Sequence, residues 1–143
     1  MESTSCRNSR NAGVITNEEF TIFQNAGYMG LYGGLDVEDI HKRKGLVVGQ
    51  KILDYMGSTE LIANLFRISQ TEEKLRKDKV DNAEIATKVH NTVGREVRKA
   101  IEEIGGTMPE DLPTPEKSIA QIEKEQMQRL KKKAKEGRLM LDE

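Results

Sequence analysis

Two histidines, one cysteine and a scatter of carboxylates set the chemistry open to this chain of 143 residues. His41 and His90 have no second cysteine or nearby imidazole to complete a donor set for a transition metal, so both read as surface or hydrogen-bonded side chains. Cys6 lies alone in a polar leader and reads as incidental. Asp36, Glu38 and Asp39 form a dense carboxylate group, but they coincide with a helix start, where acids stabilise the helix dipole. The serines fall in the leader and at Ser58, Ser69 and Ser118, none in a strained elbow beside a base. The expectation is a protein without catalytic residues, metal, cofactor or small-molecule substrate, and so not an enzyme.

Phosphate is the ligand class for which residues are present. Lys42, Arg43, Lys44 and Lys51 occur with no acid between Ile40 and Leu53, apart from which Arg129 to Arg138 holds six cations against Glu136. Lys88, Arg95 and Lys99 fall together on one side of a helix at 100° per residue. The candidate nucleic-acid contacts are Lys42, Arg43, Lys44, Lys88, Arg95, Lys99, Lys131, Lys132 and Lys133. The alternative for each cluster is a solvated helix face or pairing with a helix C-terminus. No aromatic ladder accompanies them, so base stacking is not indicated, and a net charge of -1 gives no chain-wide polyanion signature.

The stretch "GYMGLYGGL" lacks the Gly-Lys-Ser/Thr ending of a phosphate loop and follows no strand. Gly27, Gly30, Gly33 and Gly34 are read instead as letting the backbone turn tightly, while Tyr28, Leu31, Tyr32 and Leu35 dock on neighbouring helices. Tyr28, Tyr32 and His41 are the candidate partner contacts.

These residues need elements to position them, and the patterning is helical throughout. With 36 % hydrophobic and 33 % charged residues, the chain suits a small all-α domain with a thin core. Residues 1–15 read as a flexible tail. Thr16 and Glu19 make a capping box for a short helix ending before Gly27, and Asp36 opens a second that Gly45 closes. Gly57 and Ser58 separate two more, the later one with Leu61, Ile62, Leu65, Phe66, Ile68 and Leu75 as its apolar face. The clearest helix is capped by Asp81, carries Ile85, Val89, Val93, Val97, Ile101 and Ile104 as a core stripe, and stops at Gly105. A proline loop follows, and Thr114-Pro115-Glu116 opens a last, basic helix over 114–138, with a tail over 139–143. About six helices are expected, with the body over 16–113. Apolar runs are too short for a membrane span or signal core, which implies a cytoplasmic protein that does not bind membrane.

The strings "LYGGLD", "MGSTELIANLFR" and "GGTMPEDLPTP" stand in an order that resembles the C-terminal portion of the DNA-damage-inducible protein D family of bacteria and their prophages. The resemblance spans roughly Phe20 to Gln121. It implies a non-enzymatic accessory protein of the DNA-damage (SOS) response, acting in DNA repair and recombination around single-stranded DNA and the recombinase filament. Full-length relatives carry an N-terminal antirepressor-like domain associated with DNA binding, and this chain is expected to begin after it. The alternative function is a module that forms a homodimer, or docks on a separately encoded DNA-binding domain, as part of an antirepressor-like regulator.

Overall fold

The computed structural model describes residues 12–137, and within them the protein is all-helical. Five α-helices are present: α1 (Asn17–Leu31), α2 (Val37–Arg43), α3 (Ser58–Lys77), α4 (Ala83–Ile104) and α5 (Ile119–Lys135). Two 3-10 turns, Ile52–Tyr55 and Pro109–Asp111, lie in the connections. Cys6 and the 139–143 tail lie outside the described residues. No helix among the described residues is long and apolar enough to cross a membrane.

Local signals place most helix ends. Thr16 Oγ1 accepts from the Glu19 amide at 3.0 Å while Glu19 Oε1 accepts from the Thr16 amide at 3.1 Å, the reciprocal box expected there. Asp36 and Asp39 repeat it for α2. Gly105, at φ 86°, ends α4 in the left-handed conformation that glycine adopts without strain. Three ends differ from expectation. Asn82 rather than Asp81 caps α4, Gly57 rather than Ser58 precedes α3, and α5 starts only after Ser118, which forms a box with Gln121. The Ser118 box satisfies two amides reciprocally, whereas Thr114 would have to carry a helix through the bend that follows Pro115.

The larger correction concerns the glycine segment. Rather than breaking before Gly27, α1 runs through Gly27 and Gly30 to Leu31. These glycines are small because α4 crosses there. A Cβ on Gly30 would stand 2.3 Å from the Asn91 carbonyl oxygen, and one on Gly94 would stand 2.8 Å from that of Gly27. The two helices therefore meet backbone to backbone, and α1 against α4 is the most extensive interface of the fold.

Two apolar clusters flank the crossing. One gathers Tyr28, Leu31, Tyr32, Ile40, Ile52, Met56 and Val97; the other gathers Ala12, Val14, Phe23, Leu75 and Ala86. Ala12 and Val14 are thus core residues, and the expected tail is packed from Ala12 onward. Between the clusters runs a buried polar chain. Lys44 pairs with Glu60, Glu60 accepts from the Tyr32 hydroxyl, and Asn64 Nδ2 donates to Tyr32 Oη at 3.0 Å. Arg67 Nε donates to Asn64 Oδ1 at 3.1 Å, and its Nη1 donates to His90 Nε2 at 2.8 Å. His90 Nδ1 in turn donates to the Phe23 carbonyl at 2.9 Å.

This chain turns α3 over. Glu60, Asn64, Arg67 and Thr71, spaced four, three and four apart, face inward, while Ile62, Leu65 and Phe66 of the expected core face are exposed. The stripe on α4 is displaced in the same sense. Its buried positions are Ala86, His90, Gly94 and Val97, and Ile85 and Ile104 lie outside.

Candidate nucleic-acid interface

On α4, Lys88, Arg95 and Lys99 project from the side opposite the buried positions, all three exposed and without an ion pair among the described residues. Arg95 and Lys99 border a concavity of about 390 Å³ whose floor includes Gly33 and Gly34 and whose walls include Arg98 and Glu102. The floor is shaped by backbone. Gly33 and Gly34 have φ of 68° and 100°, and a side chain on Gly33 would collide with the Arg98 guanidinium. Tyr32 and the two glycines follow the last turn of α1, and Arg98 Nη1 donates to the Leu31 carbonyl there at 3.1 Å, a cation set at a helix C-terminus.

Arg98 is already committed. Its two terminal nitrogens bind the Glu110 carboxylate side by side at 2.8 Å each. That bond raises the arginine above its ordinary range, against a smaller opposing effect of burial. Burial, the largest single effect, pushes Glu110 up, but the Arg98 hydrogen bonds, its own backbone amide and the Arg98 charge together outweigh it and leave the carboxyl below its usual range. Arg98 therefore fixes the proline loop to α4, and Arg95 and Lys99 are the cations free to meet an anion.

The other candidate cations are distributed differently. Lys42 is exposed. Arg43 is exposed but pairs with Asp111 at 2.6 Å and donates to the Glu110 carbonyl. Lys44 is corrected from surface to interior. Its side chain is 4 % exposed and Glu60's is 1 %, and its ammonium binds Glu60 Oε1 at 2.9 Å, the Pro109 carbonyl at 2.7 Å and the Leu112 carbonyl at 2.6 Å. All three ammonium donors are used, which leaves nothing for a phosphate. Lys131, Lys132 and Lys133 are exposed on α5, whose principal neighbour is the Ile52–Tyr55 turn, so they do not join the α4 face.

The candidate partner contacts also move inward. Tyr28 and Tyr32 are buried, with Tyr28 beneath the Arg67 guanidinium at 4.4 Å and Tyr32 bound to Glu60 and Asn64. As folded, neither ring meets a partner; burial raises both hydroxyls above their ordinary range, so each stays neutral. His41 is half-buried, and its Nε2 donates to the Gln50 carbonyl at 2.9 Å. The reading of the tyrosines as plugs on neighbouring helices describes their placement. The residues that reasoning from the sequence missed are Glu60, Asn64 and Arg67, whereas His90 takes the hydrogen-bonded alternative read for it. The signal for them was the polar repeat on α3 at helical spacing, masked by the stronger apolar residues beside it.

The model of the DinD C-terminal domain family matches residues 2–122. The chain belongs to that family. It is also 62 % identical over 115 residues to DNA damage-inducible protein D of Escherichia coli strain K12, which covers 80 % of this chain. The chain spans 42 % of the length of that relative. No solved structure matches this DinD C-terminal domain. The family match covers both walls of the basic concavity and the whole buried polar chain, and ends near the start of α5.

Proposed function

We propose that this DinD C-terminal domain serves in the DNA-damage response as a non-enzymatic binding module, touching single-stranded DNA, or the recombinase filament on it, through the α4 face. The observation that carries the reading is the grouping of the exposed Lys88, Arg95 and Lys99 on one side of α4, with the acids Glu84 and Glu102 on that side beside them, and two of the cations around a glycine-floored concavity. Unpaired cations beside an open backbone suit a flexible phosphate chain, whose counterions are released on binding. Similarity to a DNA damage-inducible protein supplies the biological setting. Titration of fluorescent single-stranded DNA at two salt concentrations, alongside strand-exchange assays with a recombinase, tests it. Reversing Lys88, Arg95 and Lys99 together to glutamate is expected to leave the melting temperature nearly unchanged and weaken DNA or filament binding at least tenfold. Unaltered binding would remove the reading.

The exposed apolar face of α3 and α4 supports a second reading, a docking or dimerisation module of an antirepressor-like regulator. Light scattering separates the two: a strict monomer that joins no other chain disfavours docking and leaves the DNA reading intact.

A further inference from the structure

Because α3 turns its polar side inward, its apolar side has no cover. Phe66 is 54 % exposed and Ile104, across on α4, is 83 % exposed. Together with Ile62, Ala100, Ile101 and Leu112 they line an almost wholly apolar groove of about 360 Å³ between α3, α4 and the proline loop. Side chains this large, contiguous and outward-facing on a small domain mark an interaction surface.

A second unpartnered surface lies on the same chain. α5 is amphipathic yet buries no residue completely; Ile119, Met127, Leu130 and Ala134 share one side, interrupted by Glu123 in its first half, with Met127 and Leu130 about half exposed. A lone helix of this length is marginal in water unless its apolar side is packed. Its seventeen residues run about 25 Å, enough to lie along the groove.

Charge sets the fit. Glu73 lies two turns beyond Phe66 on the same side of α3, and Glu96 and Glu103 lie one turn either side of Ala100 on α4; all three are exposed and make no ion pair among the described residues. The late turns of α5 carry Arg129, Lys131, Lys132, Lys133 and Lys135. We infer that the α3/α4 groove receives α5 of a second copy of this chain, apolar side inward and basic end toward the exposed acids of α3 and α4. This rests on the docking reading and names its occupant. Each chain offers both halves of the contact, so a two-fold arrangement satisfies both grooves and closes.

The full chain is expected to scatter light as a dimer at micromolar concentration. Phe66→Glu and Leu130→Glu, both at exposed positions, should each give the one-chain mass while keeping the helical circular-dichroism signal. In a Cys6→Ser background, chains with Phe66→Cys mixed with chains carrying Leu130→Cys should form an interchain disulfide on oxidation. A chain carrying both cysteines that instead closes on itself as a monomer would overturn the inference, since α5 would then cover its own groove. A dimer abolished by Phe66→Glu but indifferent to Leu130→Glu would overturn it too, while leaving the docking reading standing. A strict monomer at all concentrations would overturn it as well, and would end the docking reading too only if the chain also joins no other.

Discussion

His90 shows how a single side chain can be read for its energetics. Buried against Phe23, it gives one ring nitrogen to a carbonyl and takes the Arg67 guanidinium on the other. Burial, reinforced by the Arg67 charge and opposed by the Phe23 carbonyl, pushes its pKa down to about 3, against 6.5 for a free imidazole. The folded domain thus holds His90 neutral while the unfolded chain binds a proton below pH 6.5. A depressed pKa in a base means stability that is complete above the unfolded value and declines as pH falls toward the folded one. Between pH 7 and pH 5 the loss should be about 2 kcal/mol, read as a lower urea midpoint. His90→Gln should be less stable at pH 7, because the Arg67 contact is imperfectly replaced, but should lose little more on going to pH 5. An equal decline in both proteins would place the proton elsewhere. His90 could be counted in the sequence, but not its burial, since that depends on Gly27 leaving room for the ring.

Element by element, legibility followed the range of the interaction. The capping box at Thr16, the helix start at Asp36 and the left-handed stop at Gly105 act within a few residues and were legible, although the caps of α3, α4 and α5 fell one to four residues from the expected ones. The glycines of α1 act between helices. Without knowing that Gly94 would lie opposite Gly30, their propensity argued for a break, and propensity yields to close packing. For α3, hydrophobicity was only partly right: Leu61 and Leu75 pack in the core, but the middle of the buried side is satisfied by hydrogen bonds rather than by apolar contact and leaves Ile62, Leu65 and Phe66 exposed. Of the candidate site, the α4 cations were legible from periodicity alone, whereas Lys44 was not, because its partners Glu60, Pro109 and Leu112 are distant in sequence. The crossing makes a sharp prediction. In an ordinary helix Gly→Ala gains up to about 1 kcal/mol. Gly30→Ala should instead lose about 2 kcal/mol, since its methyl meets the Asn91 carbonyl, a backbone atom that cannot rotate away. Thermal unfolding settles the sign, and a rise in melting temperature would mean that α1 and α4 do not meet here.

At the scale of the whole molecule, a net charge of -1 is arranged so that attraction for a polyanion is local. The exposed acids Glu96 and Glu103 stand beside Lys99 on α4, so Lys88, Arg95 and Lys99 carry their positive charge next to compensating carboxylates. A domain so balanced has little long-range field to steer an encounter, and its contact with DNA depends on the few cations that reach phosphate. Three such contacts on a single strand give a log-log dependence on salt with slope of about -2. The concavity contains its own adverse charge in Glu102, beside Arg95 and Lys99. Removing that charge should therefore strengthen binding where removing the cations weakens it. Glu102→Gln is expected to tighten single-stranded DNA two- to threefold at low salt, with the gain fading as screening increases. Because Glu102 is exposed, its loss should barely shift the melting curve. Affinity indifferent to Glu102 would mean that phosphate does not enter the glycine-floored concavity, whatever the outcome at Lys88.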